Sequence, residues 1–355
     1  TAGGVMSKSG NAGGSLNLYA SDNIKINWVS GANDVTIGEA SAIGPDGKRT
    51  LPLSSSPEVN DNKLDAWFST ITNYDLALIR WAFEKTAELA GEAGEPDEAR
   101  RWKQVLGEMP ELALDPGSKK MLVAHSYPLP FSHRHFSHLM AIHPLGLIRW
   151  ENGDEDQAVI KTSLADLEEK GTSQWCGYSF SWLASLAARA RNGDKAEKAL
   201  EIFSTAFCLR NGFHCNGDQS GKGYSNFRYR PFTLEGNFAA AAGLLEMLMQ
   251  SYSGTIRLFP AVPAGWKDVS FKTLRAEGAF LVSAVRRGGS TQSVEFTAEK
   301  GGLCRLENPF GKAGFEIEGV PRDTIGRDGD DLLIKTTAGQ TIILARRKTT
   351  RGSTE

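Results

Sequence analysis

At 355 residues, with 40 Lys and Arg against 42 Asp and Glu and a formal net charge of −2, the chain offers no electrostatic case for nucleic acid or an anionic membrane as partner. Hydrophobic residues make up 40% of it, no apolar run approaches the roughly 20 residues of a membrane span, and Thr1 to Gly14 lacks the apolar core of a signal peptide. The four cysteines (Cys176, Cys208, Cys215, Cys304) form no C-x-x-C pair and are too few to staple a chain of this size, so they read as small buried hydrophobes.

Residues 1–60 are rich in Gly, Ser, Asn and Asp, with alternating patches "SLNLYA" and "IKINWVS" that suit short strands and a turn at "GPDGK". This segment reads as irregular or weakly β. From 61 to 253 the pattern is helical. "YDLALIRWAFEKTAELAG", "EPDEARRWKQVLGEM", "DQAVIKTSLADLEEKG", "SFSWLASLAARARNGD", "KAEKALEIFSTAFC" and "NFAAAAGLLEMLMQS" carry apolar residues at i, i+3, i+4 spacing. Counted over the whole stretch, this amounts to about seven helices. From 254 to 346 the texture changes again: "AFLVSAVRRGG", "TQSVEFTAEKGG", "LLIKTT" and "TIILARR" alternate with Gly-containing turns, as in a small antiparallel β domain. Residues 347–355 read as a frayed tail.

Two Asn-Gly-Asp junctions, at Asn152 and Asn192, stand 40 residues apart. In each, Gly suits a left-handed helix stop and Asp the N-cap of the next helix, and a period of this length fits a helical hairpin. Stacked hairpins form an open solenoid or close into a ring of inner and outer helices. The ring is favoured, because "SFSWLASLAA" and "NFAAAAGLLEM" have the small apolar residues that a crowded inner layer demands. "KAEKALEIF" and "DEARRWKQVL" are amphipathic, as outer helices would be.

Five of the six histidines fall in "HSYPLPFSHRHFSHLMAIHP": His125, His133, His135, His138 and His143. Three explanations stand. His135 and His138, or His133 and His138, share a helix face suited to a metal, although no His-Glu-x-x-His pattern accompanies them. Core or capping histidines are the plainest alternative. The third is a polar cluster in which the imidazoles and Arg134 hydrogen-bond the hydroxyls of a sugar. "LPLSSSPEVNDNKLDAW", "TSQWCGYSFSW" and "CNGDQSGKGYSNFRYRPFTLEGNFAAAAG" add aromatic faces, amides and carboxylates just before the inner helices, a composition suited to a carbohydrate cleft.

"HRHFSHLMAIHP" at 133–144 is similar to a signature of glycoside hydrolase family 95, the inverting 1,2-α-L-fucosidase and α-L-galactosidase group. So are "SSSPE" at 54–58, "LEGNFAAAAGLLEMLMQSYSGTIRLFPAVPAGW" at 234–266 and "LRAEGAFLVS" at 274–283. The resemblance runs from about Leu51 to Leu306. It implies a mainly α chain, part of an (α/α)6 toroid of helical hairpins followed by the β domain. It also implies an exo-acting hydrolase of terminal α-L-fucosyl or α-L-galactosyl residues, secreted or periplasmic in a bacterium. By that resemblance Glu58 is the general acid, Glu235 the general base, and His133, Arg134 and His135 line the sugar pocket. Inversion asks for two carboxyl groups roughly 6.5–9.5 Å apart, one protonated at the leaving oxygen and one behind a water. Either glutamate has a plainer alternative as a helix-cap acid; Glu235 precedes an apolar helix, whose dipole favours a negative charge.

The candidate site therefore comprises Glu58 and Glu235 as catalytic residues. His133, Arg134, His135, His138, Trp175, Asn216, Asp218, Gln219, Arg230 and Asn237 are the substrate-binding candidates, with no metal and no cofactor. The residues that begin or precede inner helices are expected around one concavity. Three departures from the family pattern stand out. The usual "IDGNFGG" is "TLEGNFAAA", with Glu for Asp; no "N-x-N-x-x-MNYW" motif, which activates the water, occurs in 1–50; and the N-terminal β-sandwich is missing. The expectation is a truncated form of a larger enzyme, nearly inactive alone, whose uncovered inner-helix surface drives association. A non-catalytic carbohydrate-binding fragment is the alternative. A third is an α,α-barrel lyase or hydrolase of uronic-acid glycans, with Arg134, Arg228 and Arg230 on the carboxylate. In every case the expected partner is carbohydrate, with no nucleic acid and no membrane.

Overall fold

The computed structural model describes residues 15–21, 24–29, 42–44, 46–51, 53–61 and 63–347. Among them, six α-helices stand where the sequence carries its six helical patterns, one fewer than the count of about seven. The tail from 348 and the stretches 1–14 and 30–41 lie outside the described residues. Two compact units meet in sequence at Thr172 and Ser173.

In the first unit, β1 (Ser15–Ser21) pairs antiparallel with β2 (Ile24–Val29), and β3 (Ala42–Ile43) with β4 (Arg49–Thr50) around the "GPDGK" turn. Helix α1 (Asn73–Glu92) begins at Thr72, whose side chain accepts from the Asp75 amide. It turns through Ala93 to Glu95 into α2 (Pro96–Glu108), which opens on a proline whose missing N–H costs nothing there. The hairpin closes on Leu76, Ile79, Phe83 and Ala87 of α1 against Trp102 of α2, with the Phe83 and Trp102 rings 5.2 Å apart. After α2 the chain runs without an α-helix to α3 (Asp154–Lys170). Asn73 holds the start of that irregular run: its Nδ2 donates to the carbonyls of Ala113 (2.8 Å) and Leu122 (2.7 Å), and its Oδ1 accepts from the Ala113 amide (2.8 Å).

In the second unit, α4 (Gly177–Arg189), α5 (Gly193–Ala206) and α6 (Glu235–Leu248) pack on one another. Nearly all of α4 is buried, as the small apolar composition predicts. Gly243 of α6 lets the two backbones approach, since a Cβ there would lie 3.1 Å from that of Ala184. The other side of α6 is open: Phe238 is 66% exposed and Leu245 45%.

The β domain follows. Short β5 (Met249–Gln250) and β6 (Arg257–Leu258) pair, and eight further strands form two antiparallel sheets. These are β7 (Val269–Ala276), β8 (Phe280–Arg287), β9 (Ser290–Ala298), β10 (Gly302–Glu307), β11 (Phe315–Glu318), β12 (Gly326–Asp328), β13 (Asp331–Thr336) and β14 (Gln340–Arg346). The orders are β11-β14-β9-β8-β7 and β10-β13-β12. Alternation buries Phe280, Val282 and Ala284 of β8 and Ile342 and Leu344 of β14 in one core with Cys304, Leu306, Leu332 and Ile334 of the smaller sheet.

The Asn-Gly-Asp junctions differ from the sequence expectation. Before α5 the left-handed residue is Arg191 (φ 57°), and Asn192, not Asp194, caps the helix by accepting from the Lys195 amide. Gly193 is required by packing instead: a Cβ there would stand 2.4 Å from the Ala261 carbonyl oxygen and 2.7 Å from the Pro263 nitrogen, both backbone atoms. At the other junction Gly153 does take positive φ (106°), but as the residue before α3, with Asp154 already helical. Gly193→Ala is therefore expected to destabilise the fold by about 1–3 kcal/mol through overpacking. Gly91→Ala, in α1 with nothing within 4 Å of the added carbon, should be neutral or stabilise by roughly 0.5–1 kcal/mol. Urea unfolding of the two variants checks both.

Candidate active-site residues in two clusters

The "SSSPE" serines are anchors. Ser54 Oγ lies 2.6 Å from the Asp75 carboxylate and accepts from the Thr72 amide (2.9 Å), Ser55 presents its carbonyl to Thr72 Oγ1 (3.1 Å), and Ser56 Oγ meets Ser137 Oγ at 2.7 Å. Beyond them the chain makes a turn in which Glu58 (φ 58°), Asn60 (φ 62°) and Asp61 (φ 52°) are all left-handed. Such a backbone costs about 1–3 kcal/mol per residue and persists only where the surroundings hold it. Val59, 1% exposed, plugs the core and leaves Glu58 outward; Asn60 donates to the Asp65 carbonyl (2.9 Å).

Three consecutive residues, His133, Arg134 and His135, all address Glu58. His133 is buried, with Nε2 3.2 Å from the Glu58 carbonyl oxygen. A carbonyl only accepts, so a bond there is donated by Nε2, while Nδ1 lies 3.1 Å from the His135 amide and 3.2 Å from the His135 carbonyl oxygen. Arg134 forms an ion pair with the Glu58 carboxylate, and His135 Nε2 lies 3.0 Å from its Oε2. Burial holds the His135 imidazole below its ordinary value even though Glu58 pulls the other way. His133 thus fastens the backbone of Glu58, a different task from the sugar contact the sequence assigns it.

His125 is exposed, His143 half-buried, and His138, proposed from sequence as a sugar ligand, is 2% exposed in the interior of the first unit. Among the described residues no group of three or more His, Cys, Asp or Glu is placed to hold a metal ion.

In the second unit, residues 214–219 run antiparallel to 227–232 as an irregular ribbon, through Asn216 N to Pro231 O (3.2 Å), Gly217 N to Tyr229 O (2.9 Å) and Asp218 N to Phe227 O (2.8 Å). Most of the polar candidates are engaged in holding it. Asp218, buried, accepts from the Ser220 amide (2.8 Å) and hydroxyl (2.6 Å) and from the Tyr224 amide (2.9 Å). Burial raises its carboxyl, but these bonds outweigh that and hold it below the usual range. Gln219 donates to the carbonyls of Gly217 and Arg228 and accepts from Arg230 Nε at 2.6 Å. Asn216 Oδ1 accepts from Thr233 Oγ1 (2.9 Å); Asn237 accepts from the His214 amide (2.9 Å) and donates to the Gly212 carbonyl (2.9 Å). Trp175 is 2% exposed and packs edge-on to Phe180, with its carbonyl accepting from Ser225 Oγ. Trp175 and Asp218, named from sequence for sugar contact, are thus enclosed and engaged in the ribbon's own packing and hydrogen bonds. Arg230 remains exposed.

Glu235 is the first residue of α6, exposed, with no hydrogen bond or ion pair among the described residues. It lies close enough to Tyr178, at the start of α4, to help raise that phenol, after burial and Cys176. Two neighbours in the chain, Phe213 and His214, stand outside the candidates named from sequence. Phe213 and Phe232 form an exposed aromatic pair 4.9 Å apart. His214, the sixth histidine, is fully buried. An isolated histidine carries no sequence signal; only its two glycine neighbours in space reveal it.

His138 gives a testable consequence. Burial pushes its imidazole down to about 3 from an ordinary value of 6.5, against the pull of Asp166. Between those values the unfolded chain binds a proton there and the folded one does not, so stability is lost as pH falls from 6.5 toward 3, at up to about 1.4 kcal/mol per pH unit. Denaturant titrations at pH 7 and pH 4.5 should show a shallower loss in His138→Gln than in the parent chain.

The glycosyl hydrolase family 95 catalytic-domain model matches residues 39–248, and the family 95 C-terminal-domain model matches 250–344. Alpha-L-fucosidase 2 of Arabidopsis thaliana is 26% identical over 264 residues, 73% of this chain and 29% of its own length. Probable alpha-fucosidase A of Aspergillus oryzae (strain ATCC 42149 / RIB 40) is 25% identical over 296 residues, 77% of this chain and 37% of its own. The chain therefore spans about a third of the length of these curated relatives. A solved family 39 glycoside hydrolase from Bacteroides cellulosilyticus WH2 aligns at a TM-score of 0.18 and 15% identity over 54% of this chain and 39% of that one, too little to bear on the fold. Matched in order by both of its domain models, the chain belongs to glycoside hydrolase family 95.

Proposed function

We propose that the chain is the acid–base portion of an exo-acting glycosidase that removes terminal α-L-fucosyl or related α-L-galactosyl residues with inversion. The observation that carries this is the treatment of Glu58: a glutamate on a strained turn, its carbonyl held by His133 and its carboxylate by Arg134 and His135. A surface glutamate with no chemical duty has no need of three consecutive residues to fix it. The fucosidase names of both relatives supply the substrate class.

In this mechanism Glu58 delivers a proton to the glycosidic oxygen as the bond to the anomeric carbon breaks. Glu235 takes a proton from the attacking water, whose oxygen adds to the opposite face of the sugar. Exposure at the N-terminus of α6 suits Glu235 to the base role: its charge is stabilised by the helix end and is not tied to a cation. The helices would form part of an (α/α)6 toroid, α4 being the inner helix by its burial. The exposed apolar stripe of α6 would drive association, which sedimentation velocity checks. The uronic-acid alternative is weaker, since Arg134 is already paired with Glu58.

The test is hydrolysis of an aryl α-L-fucoside, followed by proton NMR of the first-formed sugar. Turnover is expected to be slow, because residues 1–50 carry no water-activating asparagine motif, and the β anomer should appear first. Glu58→Gln and Glu235→Gln should each lower the rate by about 10²–10⁴-fold. First appearance of the α anomer, or undiminished rates in either variant, refutes the mechanism.

A further inference from the structure

His214 stands where all three helices of the second unit meet. Its ring stacks on Phe203 of α5, with centroids 5.5 Å apart. A Cβ on Gly177, the first residue of α4, would lie 2.3 Å from its Nε2, and one on Gly236, the second residue of α6, 2.5 Å from its Nδ1. Only glycine fits at either position while the ring is there. The two glycines are thus explained by one imidazole, and Gly236 immediately follows Glu235.

The hydrogen bonds point the same way. Nδ1 lies 2.7 Å from the Thr233 carbonyl oxygen and 2.8 Å from Thr233 Oγ1. The carbonyl accepts, so Nδ1 carries the proton; the Thr233 hydroxyl gives its own to Asn216 Oδ1. Nε2 is then a bare lone pair, buried and without a partner among the described residues. Burial holds the imidazole below its ordinary value although the Thr233 carbonyl and Glu235 pull the other way, and the positive ends of α4 and α6 add to the effect of burial. On the other side, the His214 amide donates to Asn237 Oδ1 at 2.9 Å. Residue 214 therefore holds the chain at 233, two residues before α6, through its ring and at 237, inside the first turn of α6, through its backbone, with Glu235 midway between.

We propose that His214 is the positioning residue for Glu235, clamping the first turn of α6 from both sides so that an otherwise unpartnered carboxylate is held in one place. The proposal deepens the assignment of Glu235 as general base and rests on it. Because Glu235 has no side-chain partner of its own, its location is set by backbone alone. A displacement of about 1 Å at a reacting group can cost on the order of 10²-fold in rate.

Two measurements test it. Amide hydrogen exchange at Gly236, Asn237 and Phe238, all bonded back to 233 or 234, needs no turnover. In His214→Ala these amides should exchange at least about tenfold faster while those of β9 are unchanged. His214→Asn, which keeps a donor where Nδ1 stands, should restore most of the protection, and His214→Phe, which keeps volume only, should not. In fucoside hydrolysis His214→Ala should lose kcat with KM unchanged, and His214→Asn should recover it. If His214→Ala fails to fold, Asn237→Ala removes the other half of the clamp and should loosen the same amides. Unchanged exchange in the folded alanine variants, or equal rescue by Phe and Asn, overturns the clamp. Undiminished hydrolysis in Glu235→Gln overturns instead the assignment of the base, so the two failures are distinguishable.

Discussion

Irregular backbone in an interior must find hydrogen bonds, at a penalty of about 1–3 kcal/mol for each buried group that fails, and this requirement organises the protein. Two long stretches, between α2 and α3 and between α5 and α6, contain no α-helix; two short 3-10 turns in the first and the backbone bonds of the irregular ribbon in the second satisfy part of them. Side chains add to these. Asn73 makes three bonds to the first, Asp218 closes the turn of the second, and Gln219 spans its ribbon. Both candidate catalytic residues are held by such scaffolding: Glu58 on a turn fixed by serines and a histidine, Glu235 on a helix start fixed by a ribbon.

The same chemistry explains why composition misleads about contact. Amides, carboxylates and aromatics are what a sugar cleft needs, and also what a structured loop needs to satisfy itself. Asp218, Gln219 and Asn237 direct their polar atoms inward to the ribbon, Trp175 is enclosed, and Arg230, although exposed, donates to Gln219. Glu235, Arg230, Arg228, Tyr229 and the Phe213–Phe232 pair are among the groups that face solvent. Polarity alone does not tell a side chain that serves its own loop from one that serves a ligand.

The clusters differ in electrostatic design. Around Glu58 a guanidinium and an imidazole whose protonation burial disfavours share one carboxylate. Around Glu235 the support is geometric: a buried ring, two glycines and backbone bonds, with the helix end supplying the field.

Sequence by itself located the six helices, although it counted about seven, because periodic apolar residues act within a few residues of one another. It determined the β domain by alternation, and the family by long motifs such as "HRHFSHLMAIHP" and "LEGNFAAAAG". It also singled out Glu58 and His133 to His135 as belonging together in function. What those residues do to each other was decided only in three dimensions, since Glu58 and His133 are 75 positions apart and no local rule connects them. The burial of His138 and Trp175, the packing demand at Gly193 and the place of His214 between three helices were likewise tertiary. Each depends on which surfaces distant segments bring to one point, and side-chain type alone carries no record of that.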